Sequence, residues 1–150
     1  MSAKNGDFRT VIPKGYSNGI ATAVGKTTSV EYVAIGPRVG GFASHVTVFR
    51  EPASGGDIHA VASRALRQLG QRPSFLPKVR GLSSLRALKV DEAPALAVNY
   101  LTTGRKSTRH DQIFVIHGQW VYEISDVALP ARYAASLVAL DDVISSWHWQ

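Results

Sequence analysis

The sequence predicts an α+β fold, a single-domain α/β/α sandwich over residues 1–150 in which helices flank a mostly antiparallel sheet. Three observations carry that expectation. The stretch DQIFVIHGQWVYEIS at 111–125 holds two apolar runs around a His-Gly pair, and as a hairpin it is apolar on both faces. Two other segments, 57–69 and 130–147, repeat their apolar residues at helical spacing. No repeat, low-complexity tract or interdomain linker divides the chain.

In chain order, FRTVI at 8–12 reads as a short strand ended by Pro13 and Gly15, and SVEYVAI at 29–35 is rich in β-branched and aromatic residues. HVTVFRE at 45–51 follows the glycine-rich turn GPRVGG and is also a strand. In 57–69, Ile58, Val61, Ala62, Ala65, Leu66 and Leu69 share one helical face, which leaves Arg64, Arg67 and Gln68 toward water. Ser54 or Asp57 can cap the first amides, and Gly70 offers a left-handed stop. Strands resume within 82–90 and at PALAVNYL, 94–101. The closing helix opens on Pro130, which suits a first helical position, and buries Tyr133, Leu137, Leu140, Ile144 and Trp147.

A two-residue loop at His117-Gly118 pairs Val115 with Trp120, Phe114 with Val121, Ile113 with Tyr122 and Gln112 with Glu123. Directly opposed residues share a face, so Ile113, Val115, Trp120, Tyr122 and Ile124 line one side, with Phe114, Ile116 and Val121 on the other. A sheet with one wet face alternates apolar with polar; this hairpin does not. It belongs in the middle of a sheet covered on both sides, and the two amphipathic helices are the available covers. His117 itself reads as a solvent-facing turn residue, and Trp120 and Tyr122 read as packing.

Composition bounds the function. With 150 residues, 45% of them hydrophobic, the chain can build one substantial core. The absence of cysteine excludes a disulfide scaffold, a thiol nucleophile and a cysteine-built zinc site. No apolar run approaches the roughly 20 residues that cross a bilayer, and MSAKNGDF has no hydrophobic signal region, so the chain as given is expected to be soluble. The formal charge of +6 is unevenly placed. Arg64, Arg67, Arg72, Lys78, Arg80, Arg86 and Lys89 occur between positions 58 and 90 with no acidic residue among them. Arg105, Lys106 and Arg109 form a second cluster in GRKSTRH. Solvated loops and helix faces account for both clusters; an anion or nucleic-acid binder acting through basic loops is the alternative. No RNA-binding aromatic signature or zinc finger accompanies them.

Short motifs that imitate active sites fail on context. GYSNG at 15–19 fits the Gly-x-Ser-x-Gly elbow, but Ser17 has neither the buried strand before it nor the helix after it that an esterase nucleophile needs. VGKTT at 24–28 resembles the end of a phosphate loop, yet position 20, where the first glycine belongs, is Ile20. The histidines His45, His59, His110, His117 and His148 lack ligand spacing, and His45 lies opposite in phase to Val46 and Val48, as a hydrogen-bonded structural histidine does. The carboxylate pairs adjacent in sequence, Asp91-Glu92 and Asp141-Asp142, point apart. No catalytic, metal or cofactor site is expected.

The order F-x-x-x-x-P-x-G-Y at 8–16, GFASHVTVFRE at 41–51, an amphipathic helix, APALAVNY at 93–100, QIFVIHGQWVYEIS at 112–125 and a closing helix ending SSWHW resembles the PsbP-like family. That family includes PsbP-type photosystem proteins, Ran-binding Mog proteins and bacterial DcrB and LpqN-type proteins. Its bacterial members commonly place asparagine where His45 stands and tryptophan where Tyr16 stands. The resemblance, to a bacterial member, implies the α/β/α sandwich and a non-enzymatic binding or adaptor domain without cofactor. Its expected partner is another protein or a cell-envelope component, met through loops or a sheet face beside the helices. Arg105, Lys106 and Arg109 are the expected anion or acidic-partner contacts. An exported or lipid-anchored protein is favoured, with its signal ahead of Met1; a cytoplasmic chaperone resembling the Eag type of type VI secretion is the alternative.

Overall fold

The computed structural model describes residues 1–23 and 29–150. Its elements are β1 (Phe8–Arg9), β2 (Ser17–Asn18), α1 (Ile20–Ala23), β3 (Val30–Val39), β4 (Phe42–Pro52), α2 (Ile58–Gly70), β5 (Lys78–Arg80), β6 (Arg86–Val90), β7 (Ala93–Thr103), β8 (Thr108–His117), β9 (Trp120–Ala128), α3 (Tyr133–Ser145) and β10 (His148–Trp149). The main sheet is eight-stranded, in the order β2-β3-β4-β9-β8-β7-β5, with β6 also on the free edge of β7. Every pairing in it is antiparallel.

The β8–β9 hairpin sits inside this sheet, as its two apolar faces require. Ile113, Val115, Tyr122 and Ile124 enter one core with Val46, Val48, Leu140, Val143 and Trp147. Phe114 and Val121 enter the other with Val61, Ala62, Leu96 and Val98. The register differs from the sequence expectation. His117 pairs with Trp120, Val115 with Tyr122 and Phe114 with Glu123. The turn is therefore Gly118-Gln119, where Gly118 alone takes a left-handed φ of 59°. His117 stays extended, which lets its ring stack on Trp149 at 4.2 Å rather than face solvent. Each expected partner moves by two residues, one full period of the strand, and so every side chain keeps its predicted face.

Helix α2 is capped as expected by Asp57, whose carboxylate accepts from the Ala60 amide at 2.9 Å. Ser54 instead accepts from the Arg64 guanidinium. Gly70 does not act as a left-handed stop: it lies within the helix, which ends at Gln71 just before the restricted residue ahead of Pro73. In α3, entered through a 3₁₀ turn at Pro130–Arg132, the buried residues are Ser136, Ala139, Leu140 and Val143. Leu137 is left 37% exposed. The stripe is rotated from the apolar one because Ser136 donates to the fully buried Asp126 at 2.5 Å, and this bond claims a core position that hydropathy assigns to leucine.

The helices cover different strands. Helix α2 packs on β7 and β8, whereas α3 packs over β9 and β4 from the other side. The chain ends close the α3 side: β1 pairs with β10, and the Phe8 ring stacks on Trp147 at 3.8 Å. Beside this closure Arg50 reaches Asp7 at 2.6 Å and the buried Glu31 at 3.3 Å. The Tyr122 hydroxyl donates to the same Asp7 carboxylate. Burial raises the Asp7 carboxyl, but the bonds from Tyr122 and Arg50 outweigh it and hold the group below the usual carboxylate range.

Trp147 is 1% exposed and its indole N–H has no hydrogen-bond partner, so its contribution is packing alone. Trp147→Ala should therefore cost about 3–5 kcal/mol in urea denaturation, whereas Trp147→Phe, which keeps the stack on Phe8, should cost roughly half of that or less.

Candidate functional site

The offset of the two helices leaves part of each sheet face without a helix. On the α2 side, residues alternate along β4, β8 and β9 so that Phe49, Glu51, Gln112, His110, Val121 and Glu123 point toward the helix layer. Helix α2 answers with Arg64, Gln68 and Arg72, spaced i, i+4, i+8 along one flank and its C-terminal exit. Between floor and flank run two concavities of about 350 and 340 Å³. Ala65, Gln68 and Glu123 line both, which joins them into one groove. From Arg64 to Arg72 it extends about 12 Å at 1.5 Å per helical residue.

Its electrostatics are mixed. Burial raises the Glu123 carboxyl, the charge of Glu51 adds to that, and a 2.9 Å bond from the Gln112 amide opposes it. With its amide engaged, Gln112 is left with a buried carbonyl Oε1 that has no partner. His110 lies flat on Tyr100 at 4.7 Å, and its Nε2 lies within hydrogen-bond distance of the Thr108 and Thr102 hydroxyls. Burial and the nearby charges of Arg72 and His45 push His110 down to about 4. At neutral pH the groove thus holds an uncharged imidazole and the carboxyl groups of Glu51 and Glu123 opposite a flank that carries Arg64 and Arg72, an arrangement suited to binding a polar ligand.

No family model and no curated protein matches the sequence. Solved structures do. The chain is similar to LpqN, involved in cell envelope biogenesis of Mycobacterium tuberculosis, with a TM-score of 0.73 and 13% identity over 93% of this chain and 81% of that one. It is also similar to the cyanobacterial PsbP (CyanoP) of Synechocystis sp. PCC 6803, with a TM-score of 0.70 and 13% identity over 100% and 91%. A protein of unknown function from Pseudomonas aeruginosa, PA94, matches at 0.63 and 15% over 77% and 79%. The fold is PsbP-like.

Within this PsbP-like sandwich the residues singled out from sequence fall as follows. Arg105 and Lys106 lie in the exposed β7–β8 loop, where the Lys106 ammonium donates to the Gly40 carbonyl. Arg109 is separated from them on β8, its guanidinium 5.2 Å from the Tyr133 ring centroid on the α3 side. The cluster is thus divided between two faces. Ser17 sits in the short edge strand β2 and its hydroxyl is directed to the Ile35 carbonyl at 3.4 Å, with no base beside it among the described residues. VGKTT, 24–28, lies outside the described residues. His45 is half-buried with Nδ1 3.0 Å from the Ala43 carbonyl. Among the described residues no three metal-ligating side chains come together.

Sequence adjacency missed one carboxylate pair. Asp111 and Asp126 oppose each other across β8 and β9 on the α3 side. Both are buried, each with Oδ2 unpartnered. The pair is 15 positions apart, so only the hairpin register brings it together. Burial raises both; for Asp126 the Ser136 bond opposes this, the charge of Asp111 adds to it, and the group is pushed up to about 6.

The signs give a pH test. Asp126 holds its proton more tightly folded than unfolded, so its contribution to stability is largest below about pH 4 and falls as pH rises to about 6. His110 is depressed from 6.5 to about 4, and its contribution runs oppositely, lost as pH falls through that window. In the native chain the two partly cancel. Asp126→Asn keeps an acceptor for Ser136 and offers an amide to Asp111. Thermal melts should show this variant about 1–3 kcal/mol more stable than the parent at pH 7, the difference shrinking toward pH 4.

Proposed function

We propose that this chain is a non-enzymatic binding domain whose ligand is an extended, acidic polypeptide segment laid in the groove between α2 and the sheet. The observation that carries this reading is the groove itself: a floor that includes Phe49, Val121, Gln112 and Glu123 beneath a row of Arg64, Gln68 and Arg72. Its length of about 12 Å matches about four extended residues. A carboxylate on the ligand meets the guanidinium groups. Arg105 and Lys106 extend the cationic surface beyond the Tyr100–His110 end of the groove, while Arg109 serves the α3 side.

Work in the cell envelope, as an exported or lipid-anchored protein, is the setting this reading favours. The similarity to LpqN, itself involved in cell envelope biogenesis, supports it at the level of fold. Among the described residues no helix is long and apolar enough to cross a membrane. The alternative of a chaperone for hydrophobic segments calls for an apolar floor throughout; Phe49, Phe114 and Val121 supply one at one end of this groove, but Glu123, Gln112 and His110 make the other end polar.

Titration of isotope-labelled protein with capped hexapeptides, with and without aspartate or glutamate, tests the reading by amide shifts. The acidic set should shift Gln68, Arg72, Tyr100, Gln112 and Glu123, and Gln68→Trp, which fills the junction, should weaken binding at least about tenfold. Shifts confined to another surface, or no response to any peptide, would overturn it.

A further inference from the structure

The loop between α2 and β5 presents apolar side chains to water. Phe75 is 84% exposed, Leu76 37% and, just beyond β5, Leu82 44%. This tip is held rather than frayed. The Leu76 amide donates to the Pro73 carbonyl at 3.0 Å, closing a turn with Ser74 and Phe75 at its centre. Pro73 and Pro77 bracket the turn, and the Arg72 guanidinium donates to the Pro77 carbonyl at 3.3 Å across its base. Pro77 in turn rests against Gly104, where an added Cβ would stand 3.5 Å from the proline ring.

That contact brings together two basic clusters that are apart in sequence. Strand β5 pairs Lys78 with Thr103 and Arg80 with Leu101, which sets Arg105 beside the turn. Arg72, Leu76, Lys78 and Arg80 line one concavity of about 270 Å³ at its base. No acidic residue occurs in 58–90 or in 93–110, and among the described residues no carboxylate pairs with Arg72, Lys78, Arg80 or Arg105.

We propose that the Pro73–Pro77 turn is a membrane-docking tip: Phe75 and Leu76 enter the interface of an anionic bilayer, and Lys78, Arg80 and Arg105 contact its headgroups. Two features select a bilayer. An apolar tip on a convex turn needs a nonpolar phase to enter, and its cationic collar needs a negative surface around that phase. A soluble acidic protein or a nucleic acid satisfies the collar but leaves the ring in water. A second copy of the chain would bring like charges together. The turn lies beyond α2, and of the residues at its base only Leu69 and Arg72 also line the groove, so Phe75, Leu76, Lys78 and Arg80 test the tip separately from it.

Cosedimentation of the full chain with vesicles tests it. Vesicles of phosphatidylcholine and phosphatidylglycerol should pellet the protein at low salt, phosphatidylcholine alone should not, and added salt should release it. Phe75→Ser should weaken partition about tenfold. The double variant Lys78→Ser, Arg80→Ser should weaken it about 25-fold, at about fivefold per charge near an anionic surface. These side chains are exposed, so unchanged melting curves will show that the variants fold. Failure to pellet with phosphatidylglycerol vesicles would overturn the proposal. So would Phe75→Ser binding them as the parent does, or polyglutamate or single-stranded DNA displacing the protein from vesicles with Phe75 making no difference, since each outcome marks a mere polyanion site.

Discussion

The burial of the β8–β9 hairpin on both faces is the constraint from which the rest of the structure follows. Phe114 and Val115 are neighbours in sequence, point to opposite sides and are each almost fully buried. A strand in that condition can exist only where other strands flank it and a layer lies above and below. Fully burying side chains of this size contributes about 1.5–3 kcal/mol each, far more than any single ion pair on the surface. The sheet continues on both sides of the hairpin, and the helices serve as lids. One helix cannot span eight strands, and the two lids stand over different ones. The strip left beside α2 is thus a consequence of how the core is closed, and its residues are free to be polar.

Two of the carboxylates inside the closed regions are anchored by specific partners. Asp126 has Ser136 reaching down from α3, and Glu31 has Arg50, which also ties Asp7 and so the N-terminal segment to the sheet. A buried ion pair is weak evidence for stability in itself, since desolvation offsets much of the attraction. Its consequence here is positional: Asp7 is fixed next to Phe8, whose ring then finds Trp147. Gln112, by contrast, lines the groove beside α2 and gives its amide to Glu123.

Much of the fold was legible because periodicity reports burial. The two faces of the hairpin, the span of α2, the Asp57 cap and the closing helix all follow from local pattern. Register was misread by two residues because either His117-Gly118 or Gly118-Gln119 could supply the turn, and the stacking of His117 on Trp149 that accompanies the observed register is a long-range contact that local pattern does not show. The short strands β2, β5 and β10 carry two or three residues each, too few for any periodicity to show. The apolar stripe read for the closing helix does not include Ser136, because its burial depends on Asp126, a residue on another element.

The candidate site was less legible, for the same reason. Arg64 and Gln68 read as solvent-facing, since a helix flank says nothing about what stands opposite it. Their spacing with Arg72 becomes meaningful only once Glu123 and Gln112 form the floor. The Asp111–Asp126 pair is likewise a product of hairpin pairing. Arg105, Lys106 and Arg109 looked like one cluster, yet strand alternation sends Arg109 to the other face.

The central claim is that the hairpin is closed on both sides by helices standing over different strands. Urea denaturation of Phe114→Ser, on the α2 side, and Val115→Ser, on the α3 side, addresses it directly. Each substitution should cost at least about 2 kcal/mol, because each removes core packing and buries a hydroxyl. If either variant unfolded within about 0.5 kcal/mol of the parent, that face would behave as exposed surface, and the two-sided sandwich would be contradicted.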